Sequence, residues 1–189
     1  RSTQAKTLFP YTTLYRSGYK ATLGADAPPA CYDDLNHAEL IVIAGSNAAW
    51  THPILYRRVE DAKAKNPNLT VVCIDPRRTE TARAADLHLP ILPGTDVALF
   101  NAVLHWLSWE DAIDAAYINA HTEGFGELKS LVRECTPAWA ARICGVDEVQ
   151  IVAFAKLWQR SAATLSLYCQ GLNQSSSGTD KNAALINLH

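Results

Sequence analysis

The stretch AELIVIAG, Ala38 to Gly45, decides the fold class of this chain of 189 residues. Its centre, Leu40 to Ala44, is a continuous apolar run without polar alternation. Such a run, rich in β-branched residues and followed by a glycine, is typical of a strand that is buried on both faces of a parallel sheet. The stretch therefore predicts the first strand of an α/β domain.

The pattern of strand, turn and helix continues beyond this stretch. Pro53 stands where a first helical turn would begin, and an Asn-Pro-Asn sequence ends the helical pattern at Asn68. LTVVCID, Leu69 to Asp75, predicts a second buried strand, and PRRTETARAAD follows it as a polar segment. LHLPIL, Leu87 to Leu92, predicts a third and weaker strand, which Pro90 interrupts.

Helical patterns dominate the second half of the chain. The sequence predicts a helix capped by Thr95 or Asp96, a helix from about Trp109, and helices over Phe125 to Arg133, Pro137 to Cys144 and Asp147 to Ser161. A strand over Ala163 to Gly171 and a polar loop over Leu172 to Lys181 follow. The last predicted helix is capped by Thr179 and has no stop signal. Strands that alternate with helices predict an α/β fold with a doubly wound, mainly parallel sheet and right-handed crossovers.

Charge and hydropathy argue against two classes of partner. Arg1, Lys6 and Arg16 are the charged residues before Gly18. The remaining residues, 18–189, contain 14 of the 17 basic residues and all 19 acidic ones, a formal charge of −5. A nucleic-acid binder would need a basic face, and we expect none. The longest purely apolar run has five residues, whereas a membrane span needs roughly 20, so we expect no membrane segment.

The five cysteines include no C-x-x-C spacing and stand mostly in apolar contexts. An odd number at these spacings predicts reduced, structural thiols more than a disulfide or zinc framework. Cys31 precedes the first strand in the context PPACYDD. We therefore assign none of these cysteines to a metal.

Both ends of the chain favour an internal piece of a longer protein. The sequence contains no methionine, even at position 1. Near the N-terminus, TLFPYTTLYRS, Thr7 to Ser17, closely resembles the translation of a common DNA sequencing adapter. We expect residues 1–17 to be a non-native segment that takes no part in the fold. Residues 18–189 would then form a partial α/β domain, truncated at both ends.

In a doubly wound sheet, ligands bind beyond the carboxyl ends of the strands, so the loops at these ends are the candidate site. The first of them is Gly45, Ser46 and Asn47, which opens a helix. A glycine lets a phosphate approach the backbone, and a helix N-terminus offers free N–H groups. The alternative is a tight turn with a helix cap, because G-x-G-x-x-G is absent.

The loop after the second strand contains Asp75, Pro76, Arg77 and Arg78. A carboxylate at this strand end is placed to accept hydrogen bonds from both hydroxyls of a ribose. The two guanidinium groups suit phosphate oxygens. The alternative is an Asp-Pro turn followed by two solvated arginines.

The third loop contains Gly94, Thr95 and Asp96. A carboxylate can accept two parallel hydrogen bonds from guanine, from N1–H and the exocyclic amine, and adenine cannot supply this pair. The commoner role of such an aspartate is to cap the next helix. Both interpretations of Asp96 stay open at this point.

The fourth loop, QGLNQSSSG, follows the last predicted strand and runs from Gln170 to Gly178. Its amides and hydroxyls include those of Asn173 and Gln174, and they offer hydrogen-bond donors and acceptors without charge. Such groups fit a polar ligand or an oxyanion. The alternative is an ordinary surface loop.

Taken in order, the motifs AGSN, IDPRRTETA, LPGTD and GLNQSSSGTDK resemble those of bacterial molybdopterin oxidoreductases. IDPRRTETA and LPGTD are shared with formate dehydrogenases. GLNQSSSGTDK makes the chain most similar to catalytic subunits of assimilatory nitrate reductases. The resemblance covers essentially all of residues 18–189 and implies a Rossmann-like molybdopterin-binding domain within a larger multidomain enzyme.

The resemblance also implies a cofactor and a role for each loop. Enzymes of this kind carry molybdenum on two molybdopterin guanine dinucleotides and receive electrons through a 4Fe-4S cluster, whose ligands would lie outside this chain. The implied dinucleotide-binding residues are Gly45, Ser46 and Asn47 at the pyrophosphate, Asp75, Pro76, Arg77 and Arg78 at the ribose and phosphates, Gly94, Thr95 and Asp96 at the guanine, and Gln170, Asn173 and Gln174 at the pterin. The metal and catalytic residues would lie elsewhere.

The implied activity of the parent enzyme is reduction of nitrate to nitrite with two electrons and two protons. Its electron donor would be a ferredoxin, a flavodoxin or an NADH-linked reductase, and its location would be cytoplasmic. Formate dehydrogenase is the closest alternative. A non-catalytic relative, such as the large subunit of respiratory complex I, and a free-standing nucleotide-binding module are the others. The fragment alone should be inactive.

Overall fold

The computed structural model describes residues 19–20, 22–25 and 29–189. The segment proposed to be non-native, residues 1–17, lies outside the described residues. Its boundary at Gly18 therefore stays a prediction.

In the described part of the chain, four strands form one parallel sheet. In chain order the strands are β1, Leu40–Ala44; β2, Thr70–Ile74; β3, Leu87–Leu89; and β4, Thr164–Tyr168, and they lie in the order β3-β2-β1-β4. Ala44 is level with both Ile74 and Tyr168, so the central strands end together. All residues of β1 are buried, as its uninterrupted apolar run predicts.

Helices cover both faces of this sheet. In chain order they are α1, Ala48–Thr51; α2, Pro53–Lys65; α3, Glu80–Ala84; α4, Asp96–Trp109; α5, Ala115–His121; α6, Phe125–Leu131; α7, Pro137–Cys144; α8, Glu148–Arg160; α9, Gln170–Asn173; and α10, Gly178–Ile186, with 3-10 turns at Tyr32–Asn36 and Val132–Glu134. The α/β class with a parallel sheet is confirmed. No helix among the described residues has the length and apolarity that crossing a bilayer requires.

Two separate apolar clusters make the fold doubly wound. The larger one lies on the face of the sheet covered by α4, α7, α8 and α10, with Phe100 and Phe154 fully buried at its centre. The smaller one lies on the opposite face, where Val59 and Ala62 of α2 pack against Ile41 and Ile43 of β1. Alternate residues of β1 thus serve opposite cores, which explains why the strand needs no polar face.

Several predicted boundaries were wrong. The polar segment after β2 contains α3, whose Thr79 side chain accepts a hydrogen bond from Ala82 N. The helix expected from Trp109 begins at Ala115 instead, after the cap Asp114. The expected polar loop after β4 contains α9 and the start of α10. The last helix ends at Ile186, before the end of the chain.

Candidate functional site

All four candidate loops lie at one edge of the sheet, because each follows the carboxyl end of a parallel strand. Three of them are joined through the backbone. Gly45 N–H donates to the carbonyl of Ile74 at 2.9 Å, and Gly171 N–H donates to the carbonyl of Gly45 at 3.0 Å. The loops after β1, β2 and β4 therefore form one connected surface.

The glycine of the first loop is required by its neighbour. Gly45 has a φ of +57°, and a Cβ placed there would come within 2.9 Å of the Gly171 backbone. A Cβ on Gly171 would lie 2.6 Å from the Cα and the carbonyl oxygen of Gly45. Contact between two loops is thus a sufficient reason for both glycines, independent of any phosphate.

Of the other two residues of the first loop, Ser46 is buried and Asn47 is held by a residue of α3. Ser46 is 7% exposed, and the Oδ1 atom of Asn47 accepts a hydrogen bond from the Thr81 hydroxyl at 3.0 Å. The same hydroxyl accepts from Ala49 N at 3.0 Å. Sequence analysis missed Thr81, although the Thr-x-Thr pattern in TETA was a signal that a capped helix begins there.

Asp75 ends the second strand as a buried carboxylate, 5% exposed. Its Oδ1 atom accepts a hydrogen bond from Arg77 N at 2.8 Å, which forms the Asp-Pro turn named above as the alternative. Its backbone carbonyl lies 2.8 Å from His88 Nε2. The side chains of Arg77 and Arg78 are exposed to solvent.

A cleft of about 470 Å3 opens beside this loop. Pro76 and Arg78 line it together with Arg83 of α3 and His88 of β3. The cleft brings two guanidinium groups within one opening next to the Asp75 turn. Such a set of donors suits phosphate oxygens.

Asp96 is the most constrained of the candidate residues. It is the first residue of α4 and is 7% exposed. Its Oδ2 atom lies 2.7 Å from the Nζ atom of Lys181, which is 4% exposed and belongs to α10. Thr95 does not cap the helix with its side chain, because its hydroxyl donates to the carbonyl of Leu92 at 2.7 Å. Gly94 is exposed and has a φ of +88°.

Sequence analysis missed Lys181 as a site residue. The side chain was counted as part of a polar loop, and only its place in the first turn of α10 directs the ammonium group toward Asp96. The available signal was its position at the end of the motif GTDK.

In the fourth loop, α9 turns one amide inward and leaves two outside. Asn173 is 8% exposed, and its Oδ1 atom accepts a hydrogen bond from Asn182 Nδ2 at 2.8 Å. Gln170 and Gln174 are exposed. The Oδ1 atom of Asn182 is buried and has no hydrogen-bond partner among the described residues. The structure therefore divides this loop into one buried amide, Asn173, and two exposed amides, Gln170 and Gln174.

Burial keeps two cysteines near the site, Cys73 and Cys144, protonated at neutral pH. Burial, and to a smaller extent the nearby charge of Asp75, raises the pKa of Cys73 to about 12. Burial also raises the pKa of Cys144, although its thiol donates to the carbonyl of Thr95. All five cysteines are free thiols. Within the described part of the chain, no group of three or more His, Cys, Asp or Glu side chains is placed to hold a metal.

Fold and candidate site together define an α/β domain with polar loops at the carboxyl edge of its sheet, the edge at which doubly wound folds bind nucleotides and dinucleotides. The chain belongs to the molybdopterin oxidoreductase family, whose family model, described as "Molybdopterin oxidoreductase", matches residues 5–189. The family named from the sequence motifs is thereby confirmed.

Similar proteins carry two different activities in their names. A nitrate reductase of Shewanella frigidimarina is 44% identical over 92% of this chain, and one of Klebsiella oxytoca is 40% identical over 92%. The alpha subunit of an F420-dependent formate dehydrogenase of Methanocaldococcus jannaschii is 39% identical over 91%. The chain spans 19% of the length of each nitrate reductase and 25% of the formate dehydrogenase.

A solved structure agrees with the fold. Acetylene hydratase from Pelobacter acetylenicus superposes with a TM-score of 0.83 and 23% sequence identity. The match covers 96% of this chain and 24% of the hydratase chain. The described sheet and helices are therefore arranged as in part of a much larger protein.

Proposed function

We propose that this chain is part of the catalytic subunit of a molybdenum-dependent nitrate reductase and that it binds one molybdopterin guanine dinucleotide. The observation that carries the proposal is the pair of buried carboxylates, Asp75 and Asp96, at the ends of neighbouring loops on one sheet edge. Carboxylates at the carboxyl edge of such a sheet suit the ribose hydroxyls and the guanine edge of a dinucleotide.

The residues present fit a guanine dinucleotide. The loop of Gly45, Ser46 and Asn47 would face the pyrophosphate, and Arg77 and Arg78 would contact the phosphates. Asp75 would accept from the ribose, and Asp96 from guanine. Gln170 and Gln174 are exposed beside the anchored Asn173 and would contact the pterin.

The bound cofactor would supply the two-electron chemistry that converts nitrate and two protons to nitrite and water. The role of this chain would be to orient one dinucleotide and to compensate the negative charge of its phosphates. We assign the 4Fe-4S cluster and the second guanine dinucleotide to other parts of the parent enzyme, and electron supply to a ferredoxin, a flavodoxin or an NADH-linked reductase. The assimilatory resemblance favours the cytoplasm, although one relative is a periplasmic nitrate reductase at 36% identity.

The guanine role of Asp96 can be tested with GDP, which reproduces the guanine, ribose and diphosphate of the proposed ligand. We expect the 189-residue chain to bind GDP about tenfold more tightly than ADP, because a bidentate base contact is worth roughly 1–3 kcal/mol. Asp96→Asn should remove this preference, as measured by isothermal titration calorimetry. The matched control is Asp61→Asn, an exposed carboxylate on α2. Equal binding of both nucleotides by the wild type would contradict the assignment.

Whether the substrate is nitrate or formate is tested with the complete catalytic subunit that contains this chain. We expect nitrate to reoxidise reduced methyl viologen and formate not to reduce benzyl viologen. The similarity to a formate dehydrogenase at 39% identity makes formate the appropriate comparison substrate. Formate-dependent dye reduction without nitrate turnover would replace the nitrate proposal with the formate one and would leave the dinucleotide site unaffected.

A further inference from the structure

The ion pair between Lys181 and Asp96 connects α10 to the first residue of α4. The side chains of Lys181 and Asp96 are 5% and 10% exposed, so both charges lie away from bulk water. Isolated buried charges are strongly unfavourable, and each partner here makes the other tolerable. The two opposite charges therefore compensate each other at this position.

An ionised carboxylate with a fixed orientation is what guanine recognition requires. A carboxylate accepts about four hydrogen bonds through its two oxygens. Lys181 occupies one of these directions on Oδ2, and the Asp96 side chain keeps 10% of its surface exposed.

We propose that Lys181 is a positioning residue for guanine recognition. It pairs with the Asp96 carboxylate and holds its plane, so that both oxygens face the N1–H and amine groups of the base. This inference rests on the proposed function, because it assumes that Asp96 contacts guanine. Lys181 itself acts through Asp96 and does not need to touch the ligand.

The backbone of α10 makes Lys181 a rigid anchor. Lys181 N–H donates to the carbonyl of Ser177 at 3.0 Å in the first turn of the helix. The next residue, Asn182, is fully buried and donates to Asn173 of the fourth loop. One helical turn thus holds a residue of the third loop and a residue of the fourth. The orientation of Asp96 is consequently set by α10 as well as by its own helix.

A purely structural role for the ion pair predicts a different experimental result. If Lys181 only stabilised the fold, its removal would lower the melting temperature and leave the nucleotide preference of the folded protein unchanged. If it positions Asp96, its removal should alter the preference itself. Comparison of GDP with IDP isolates the relevant contact, because IDP lacks the exocyclic amine and keeps the rest of the base edge.

The test measures GDP, IDP and ADP binding to the 189-residue chain by calorimetry, with circular dichroism to establish folding. We expect the wild type to prefer GDP over IDP about tenfold, as for one lost base contact. Lys181→Met should bring this ratio close to one, and Lys181→Arg, which keeps the charge, should restore most of it. Lys65→Met removes an exposed lysine from α2 and should leave the ratio unchanged.

The outcomes separate this inference from the proposed function. A wild type that binds GDP and ADP equally overturns both. A wild type that prefers GDP, with Lys181→Met retaining its full GDP over IDP ratio, overturns the positioning role alone. If Lys181→Met does not fold, Lys181→Gln replaces it, since the polar side chain is shorter by one atom and cannot hold the Asp96 carboxylate as the ammonium group does. An unchanged ratio in Lys181→Gln then counts against the inference.

Discussion

Asp96→Ala should lower the free energy of unfolding by about 3–5 kcal/mol, the cost of leaving one partner of a buried ion pair without the other. The reason lies in the burial of Lys181, which is 4% exposed and whose ammonium group is 2.7 Å from the carboxylate that the substitution removes. Urea denaturation followed by circular dichroism measures the change, with the slope checked for constancy.

The double variant Asp96→Ala with Lys181→Met should recover most of that loss, because an apolar side chain at position 181 no longer carries a buried charge. The four proteins form a double-mutant cycle that isolates the pair. The control is Asp61→Ala, since Asp61 pairs with Arg57 at 3.3 Å on an exposed face and should change stability by about 0–1 kcal/mol. Losses for Asp96→Ala as small as those of the control would show that the pair is not buried in solution.

Gly171→Ala should destabilise the chain by about 1–3 kcal/mol or more, as expected for an atom forced into a fully packed position. Its Cβ would lie 2.6 Å from the Cα and carbonyl oxygen of Gly45, and backbone atoms cannot move aside as a flexible side chain does. The hydrogen bond from Gly171 N–H to the Gly45 carbonyl should break at the same time. The melting temperature and the urea midpoint measure the effect.

The matched control for Gly171→Ala is Gly126→Ala. Gly126 lies within α6 and has nothing within 4 Å of an added Cβ. Alanine there should stabilise the chain by about 0.5–1 kcal/mol, because it has the higher helix propensity. If both glycine substitutions changed stability equally, the close approach of the two loops would be refuted.

These two predictions test the same feature, the contacts that join separate segments of the candidate site. The candidate site depends on contacts between loops that follow different strands. Gly45 meets Gly171 across the ends of β1 and β4, and Asp96 meets Lys181 across α4 and α10. A ligand that spans the four loops would therefore bind to a surface whose parts are already joined.

Local sequence signals predicted those helices and strands whose own residues mark where the element begins and ends. For α7, the predicted and observed bounds agree at Pro137–Cys144, because Pro137 occupies the first helical turn and Gly145 ends the helix with a φ of +71°. The strands β1 and β2 were predicted by unbroken apolar runs that need both faces buried. The burial of Asp75 and Asp96 at the strand and helix ends agrees with the positions that these patterns assigned.

Elements that depend on distant partners were not predictable in the same way. The short helices α3 and α9 have too few residues for a periodic pattern. The side chain of Thr81 in α3 donates to Asn47, 34 residues earlier in the chain, and α9 packs against α10. Such contacts are absent from any local window of sequence.

The sequence by itself determined the fold class, the family and the four loops that carry polar residues, because buried parallel strands and helix caps are written in residue types a few positions apart. Tertiary structure alone decided the partners that lie far away in the chain. Asp96 and Lys181 are separated by a long stretch of chain, and only the packing of α10 against α4 brings their charges to 2.7 Å. This short distance is needed because both side chains are buried, and charges removed from water must be paired.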